Sequence, residues 1–268
     1  MRRSGKTIAA LALAVLLGFP LAAMAAGNNL SAGIGFNYAT GDYGTDKTTD
    51  SLTIPLEVDF SPTQRLGFEL VIPYIYQNNS NTVFVNGMRF STASTSRRMR
   101  PGFNLGQSQS GLGDITLTTR YALLPETATQ PLVSTLLYLQ FPTGDENKGL
   151  GTGELAAGPG LSVSKWFQQW NLYGETRYIF QGSNSDIGLK DYLTLDGEVA
   201  YAVNRFLLPS IALWYATAPS DDSSDLLEAR LKIKYKISGD LLAQGYLLKG
   251  LSNSSADFGL GASISYSF

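Results

Sequence analysis

Ala256-Asp-Phe-Gly-Leu-Gly-Ala-Ser-Ile-Ser-Tyr-Ser-Phe268 alternates without a break and ends on an aromatic residue. Phe258, Leu260, Ala262, Ile264, Tyr266 and Phe268 share one face; Asp257, Gly259, Gly261, Ser263, Ser265 and Ser267 share the other. Successive strand side chains point to opposite sides, so this is a strand with one apolar and one polar face. A soluble sheet turns such an apolar face inward, whereas a membrane barrel turns it outward to lipid.

The other end of the chain decides between them. Arg2, Arg3 and Lys6 precede an apolar run from Ile8 to Leu17, and Ala23-Met24-Ala25 has the small-x-small form of a cleavage site. Residues 1–25 therefore read as a secretory signal peptide cut after Ala25, leaving 26–268 as the mature chain. A membrane helix fits less well, because Gly18 and Pro20 interrupt a short segment and no second helix-length apolar run follows. Three of the 20 Lys and Arg fall in the signal, so the mature chain carries 17 bases against 22 acids, a net charge near −5. That balance argues against nucleic acid as a partner. The chain has no cysteine, so an exported protein must hold together without disulfides.

Twelve alternating segments separated by turn signals lie near 30–39, 51–60, 65–77, 112–123, 132–141, 154–166, 169–181, 192–203, 206–217, 226–237, 240–250 and 256–268. Segments of about ten residues with this period mark a transmembrane β-barrel. The tenth is the clearest, with Leu227, Ala229, Leu231, Ile233, Tyr235 and Ile237 opposite Glu228, Arg230, Lys232, Lys234 and Lys236. The eleventh is the poorest, since Leu241-Leu242 and Leu247-Leu248 blur its phase. Links after odd segments are long and polar, and those after even ones are short, as at Asn204-Arg205 and Ser238-Gly239. Outer-membrane barrels show this asymmetry, with short turns and both termini in the periplasm. Aromatics mark two levels, with Tyr74, Tyr76, Tyr178 and Phe180 at outer ends and Phe60, Trp166, Tyr201 and Phe268 at periplasmic ends. The expected fold is all-β: an antiparallel up-and-down barrel of about twelve strands in the outer membrane of a Gram-negative bacterium. Its rival is an exported β-sandwich, which would need its apolar faces to meet in one core. Prolines at 55, 73, 159 and 209 fall inside strands and mark bulges or shifted boundaries.

With the apolar face to lipid, the charges point inward. Both signs occur, and Arg120, Arg177, Arg230, Lys232, Lys234 and Lys236 form the expected solute path. The alternative is a charge network that closes a structural or surface-interaction barrel, since twelve strands lie between packed and open sizes. A hairpin closing near 182–191 places Arg177 opposite Asp196 and Glu175 opposite Glu198. Residues 78–111 form the longest loop, and within it Thr82–Phe90 reads as a hairpin around Asn86-Gly87. Its arms are too short to span, so they are not a thirteenth and fourteenth strand. Arg89, Arg97, Arg98 and Arg100 of this loop suit a luminal constriction or contact with lipopolysaccharide phosphates.

The chain has no histidine, so the general base of outer-membrane phospholipases, deacylases and omptin-type proteases is missing and no enzyme is expected. The acidic loop runs around Asp42 and Asp221 lack an EF-hand arrangement, and no metal or cofactor is expected. Ile264, Tyr266 and Phe268 are the expected signal for the barrel-assembly machinery. Lipid, lipopolysaccharide and a small-molecule solute are the other expected partners; the oligomeric state and the solute's identity are not encoded in any local motif.

Four segments together resemble the family of the meta-pathway of phenol degradation. They are Ser110-Gly-Leu-Gly-Asp-Ile-Thr-Leu117 running on to Arg120-Tyr121, Phe141-Pro-Thr-Gly-Asp145, Leu150-Gly-Thr-Gly153, and Gly158-Pro-Gly-Leu-Ser162 with Ser164-Lys165. The resemblance covers 30–268 and is densest from 110 to 182. It implies an outer-membrane barrel, encoded beside aromatic-degradation pathways, that passes hydrophobic or aromatic solutes; it supplies no binding residues.

Overall fold

The computed structural model describes residues 30–45, 47–78, 82–85, 87–91, 108–183 and 187–268. The signal segment 1–25 and Arg97, Arg98 and Arg100 lie outside these residues. The wall begins with β1 (Leu30–Gly41), β2 (Thr49–Phe60) and β3 (Leu66–Gln77), and a short hairpin of β4 (Thr82–Val85) and β5 (Met88–Ser91) follows. It resumes with β6 (Gln109–Leu112), β7 (Ile115–Leu124), β8 (Leu132–Phe141), β9 (Ala156–Phe167) and β10 (Trp170–Gln181). β11 (Tyr192–Tyr201), β12 (Leu207–Ala216), β13 (Leu226–Lys236), β14 (Leu241–Gly250) and β15 (Phe258–Ser267) complete it.

Each strand pairs antiparallel with its neighbours, and β1 meets β15 from Ser31↔Ser267 to Thr40↔Phe258, which closes the sheet. β6 and β7 both pair with β3 and form one wall strand broken at Gly113-Asp114. Counted so, the barrel has twelve strands. The break is built into the sequence: the Gly113 N–H turns to the Pro73 carbonyl (2.8 Å). A Cβ on Gly113 would stand 2.5 Å from Ile75 Cδ1. Long links gather at one end, while short turns, the start of β1 and the end of β15 share the other, the periplasmic end of such barrels.

The arrangement of polarity is the reverse of a soluble core. Ile211 is 60 % and Leu231 58 % exposed, and Ile34, Leu56, Leu213, Ile233 and Leu247 face out with them. Buried on the inner face are Thr53, Thr116, Thr118, Ser134, Ser162 and Thr194. A continuous apolar outer belt around a hydroxyl-lined interior suits lipid outside and water inside, and it removes the sandwich reading. Aromatic pairs sit at the ends of the belt, Trp170–Tyr201 and Tyr266–Phe268 at the short-turn end and Tyr178–Phe180 at the other. The blurred eleventh segment resolves the same way, with Leu247 facing out and Leu248 buried.

The prolines sit in the wall, where the ladder lapses around them. β1–β2 pairing jumps from Ile34↔Leu56 to Asn37↔Thr53 past Pro55, which faces Pro73 across β2–β3. β9–β10 pairing jumps from Arg177↔Gly160 to Phe180↔Ala157 past Pro159. The β11–β12 ladder ends at Ala200↔Ser210, one residue before Pro209. A residue without an N–H is tolerated where no donor is asked of it.

Candidate functional site

The hairpin β4–β5 is the first element of the site. Val85 pairs with Met88 across Asn86-Gly87, and Gly87 holds φ +80°, the left-handed conformation that a two-residue turn requires. The hairpin makes its own two-stranded sheet and enters the outer mouth of the barrel. Val83 and Phe90 pack against Ile187, and Phe84 packs against Ile75 and Leu150. Met88 reaches a cluster with Tyr138, Ile179, Tyr192 and Leu226 from the inner wall. These contacts come from β3, β8, β10, β11, β13 and two long loops, so the hairpin spans the mouth. Polar ties hold both sides. The Phe84 N–H donates to the Gly149 carbonyl (3.1 Å), the Ser91 hydroxyl to the Asp222 carbonyl (2.8 Å), and the Ser220 hydroxyl to the Ser91 carbonyl (2.9 Å).

The glycine-rich motifs converge beside it. Asp114, 3 % exposed, accepts the N–H of Gly144 (2.9 Å), the N–H of Thr152 (3.0 Å) and Nε2 of Gln140 (2.8 Å). Thr143 Oγ1 donates to the Gly113 carbonyl (2.8 Å) and accepts from the Ile115 N–H (2.9 Å). Cβ atoms would stand 2.5 Å from the Leu150 carbonyl at Gly144 and 2.3 Å from the Asp114 carboxylate at Gly151, so both positions require glycine. One buried carboxylate thus ties the loop 142–153 to the break between β6 and β7. That loop in turn holds the hairpin directly through Gly149, and indirectly through the Lys148 carbonyl, which accepts from Nε2 of Gln77 at the end of β3 (2.8 Å), whose Oε1 accepts from Arg89.

Beneath the hairpin lies a cavity of about 480 Å³, with Phe84, Gly87 and Met88 on its outer side. Glu57, Glu69, Asp196, Arg177, Arg230, Lys232 and Lys234 line it. The basic residues of the expected path divide into two groups. Arg177 and Arg120 share Glu175 (2.6 and 3.2 Å), Arg230 pairs with Glu228 (2.7 Å), and Lys232 pairs with Glu198. Among the described residues neither Lys234 nor Lys236 forms an ion pair, and Lys236 is exposed at the periplasmic end of β13. The Arg230 guanidinium also lies over Trp214 (5.6 Å) and Tyr246 (5.9 Å). Trp214 and Tyr246 escape sequence reading because each adjoins an outward-facing leucine, Leu213 or Leu247; cross-strand pairing finds them, since Trp214 lies opposite Glu228 and Tyr246 opposite Lys232.

The expected register across β10–β11 is corrected by two residues. Glu175 lies opposite Asp196, Arg177 opposite Thr194, and Glu198 opposite Tyr173. The ladder ends at Ile179↔Tyr192, because the Gln181 N–H is taken by the Asp191 carboxylate (2.9 Å). A shift of two preserves every face, so Arg177 still points inward. Asp257 sits in the last loop, exposed, rather than on the inner wall. Arg89 is 3 % exposed inside the mouth, with no surface to offer lipopolysaccharide. Ile264, Tyr266 and Phe268 face outward, and the Phe268 N–H donates to the Leu30 carbonyl (2.9 Å) at the closing seam. Among the described residues no group of three His, Cys, Asp or Glu converges as metal ligands.

The barrel has solved counterparts. An outer-membrane channel from Pseudomonas putida F1 superposes with a TM-score of 0.68 at 17% identity, over 93% of this chain and 99% of that one. The NanC porin matches with a TM-score of 0.51 at 11% identity, over 88% of this chain and 100% of that one. The translocator domain of the autotransporter NalP from Neisseria meningitidis matches at 0.51 and 9% identity, over 97% and 98%. At these identities the likeness is one of fold. No curated protein matches the chain in sequence. The family model described as "Putative MetA-pathway of phenol degradation" matches residues 57–268, which takes in every motif that meets at Asp114 and all of the basic row, and the chain belongs to that family.

Proposed function

We propose that the protein is a passive, energy-independent channel of the Gram-negative outer membrane for small hydrophobic or aromatic solutes. On this reading residues 1–25 are a cleaved signal peptide and the hairpin β4–β5 is the outer constriction. The observation that carries it is the polar cavity that extends inward from the hairpin to Lys232 and Lys234 of β13. Its volume falls within the range of roughly 300–1,000 Å³ that small-molecule sites occupy. Phe84, Met88, Trp214 and Tyr246 give an aromatic ring faces to pack against, while the charged wall favours a solute that also carries a polar group. The family's description and the Pseudomonas putida channel support the reading.

A second reading is a structural barrel closed to solutes, and the buried hairpin with the ion pairs on Glu175, Glu228 and Glu198 favours it. Planar bilayers and uptake assays separate the two. Conductance by the purified protein, with slower uptake of an aromatic substrate in a deletion strain, is expected of the channel; neither would leave the structural reading in place. Ile264, Tyr266 and Phe268 act as the assembly signal in this proposal. Deleting Phe268 should lower the amount of heat-modifiable barrel in the outer-membrane fraction, and unchanged assembly would remove that role.

A further inference from the structure

Arg89 is a buried cation, and of its three guanidinium nitrogens only Nη1 is used. Its Nη1 donates to Gln77 Oε1 and to Thr82 Oγ1 (3.4 Å), and its guanidinium lies 5.4 Å from the Phe84 ring centroid. Its Nε and Nη2 are buried and, among the described residues, meet no acceptor. These two N–H groups form the side edge of the guanidinium, the fork that matches a carboxylate in a bidentate pair. Among the described residues Arg89 forms no ion pair, and burial pushes its pKa down to about 10. Tyr43, in the loop between β1 and β2, is its counterpart: 2 % exposed, packed against Leu248 and Ala256, with Ser51 beside its hydroxyl and, among the described residues, no acceptor at hydrogen-bond geometry. Burial pushes Tyr43 up to about 12, and of the charged groups acting on it Arg89 has the largest effect.

An isolated buried guanidinium is unfavourable, and unused buried donors ask for an acceptor. A monovalent anion balances the single charge of Arg89, whereas a doubly charged one would add a net negative charge beside Glu228, which already acts on Tyr43. We propose that a small monovalent anion, a halide or a solute carboxylate, occupies this site. It is held on the Nε–Nη2 edge of Arg89 with the Tyr43 hydroxyl as a further donor, and it joins the hairpin to the β1–β2 loop. Gln77 links the site to the loop 142–153 through the Lys148 carbonyl, and the proposal stands whether or not the barrel conducts.

Crystals of the mature protein soaked in bromide test it. An anomalous peak is expected within hydrogen-bonding distance of Arg89 Nε and Nη2 and Tyr43 Oη, and it should be lost in Arg89→Gln. Tyr43→Phe removes a single hydroxyl and should lower the bromide occupancy while keeping the fold. Benzoate soaked against bromide distinguishes the two sources: displacement of the peak identifies a carboxylate site, and persistence identifies a halide site. The thermal midpoint of the detergent-solubilised wild type should be higher in bromide than in gluconate, and this difference should shrink in Tyr43→Phe. An ordered water or a protein side chain on the Arg89 fork, with no bromide peak, would overturn the proposal.

Discussion

The two halves of the barrel interior are built on different principles. The outer half is packed as a soluble core is, with Met88, Tyr138, Ile179, Tyr192 and Leu226 buried together and Asp114 fully hydrogen-bonded. The periplasmic half is a charged wall with exposed Lys236 and unpaired Lys234. The same inward-facing register supplies both, so strand alternation does not by itself set the difference. The link 78–108 between β3 and β6 does, because it returns a hairpin into one end of the lumen.

Removing the hairpin should erase the contrast. Replacing Thr82–Ser91 with a short Gly-Ser link is expected to raise single-channel conductance several-fold, and unchanged conductance would mean that the constriction lies elsewhere. A smaller change should follow from Asp114→Ala, which leaves the Gly144 and Thr152 N–H groups and the Gln140 amide without their acceptor. A buried unsatisfied donor costs about 1–3 kcal/mol. Faster hydrogen exchange at Gly144 and Thr152, with noisier conductance, is the expected result, while the lower half of the barrel stays protected. On the periplasmic side, Lys234→Gln should weaken anion preference in reversal-potential measurements and leave the hairpin seated; equal loss from a charge swap in the outer half would blur the division.

The smallest effect is expected at Glu126, in the turn between β7 and β8. Its carboxylate accepts the Trp166 N–H (2.8 Å) and meets Lys165 (3.3 Å), and these contacts, the backbone one foremost, hold its pKa below the usual range. A lowered pKa means that the contribution is present above the ordinary carboxylate pKa and fades as pH falls through the lowered value. Glu126→Gln should remove this part of the acid dependence with little change at neutral pH, as read by exchange at the Trp166 N–H.

Much of this was legible in the residues. The segment read as 132–141 is β8 to the residue, and the hairpin was located at Asn86-Gly87 by turn chemistry alone. Alternation states which face a side chain takes, and it did so correctly for Arg177 even where the register was off by two. What alternation cannot state is what fills the space in front of a face. Arg89 looked like one of four loop arginines, and its burial depends on Gln77, Tyr43 and loops far off in sequence. The glycines near 113, 144 and 151 carry the family resemblance in the sequence, and their joint purpose around Asp114 needs three dimensions. The β10–β11 register turned on one side chain, Asp191, capping the end of β10.

The seat of the hairpin also sets an order of events. It lies in sequence between the third and fourth wall strands, yet Met88 packs with residues of β8, β10, β11 and β13, and Ser91 bonds to the loop after β12. None of these partners is in place until the later strands have curved round to face the earlier ones. Docking of the hairpin therefore reports that the wall has rolled up, and a chain arrested before β8 would lack Tyr138, Leu150 and Ile187, on which Met88, Phe84 and Phe90 pack.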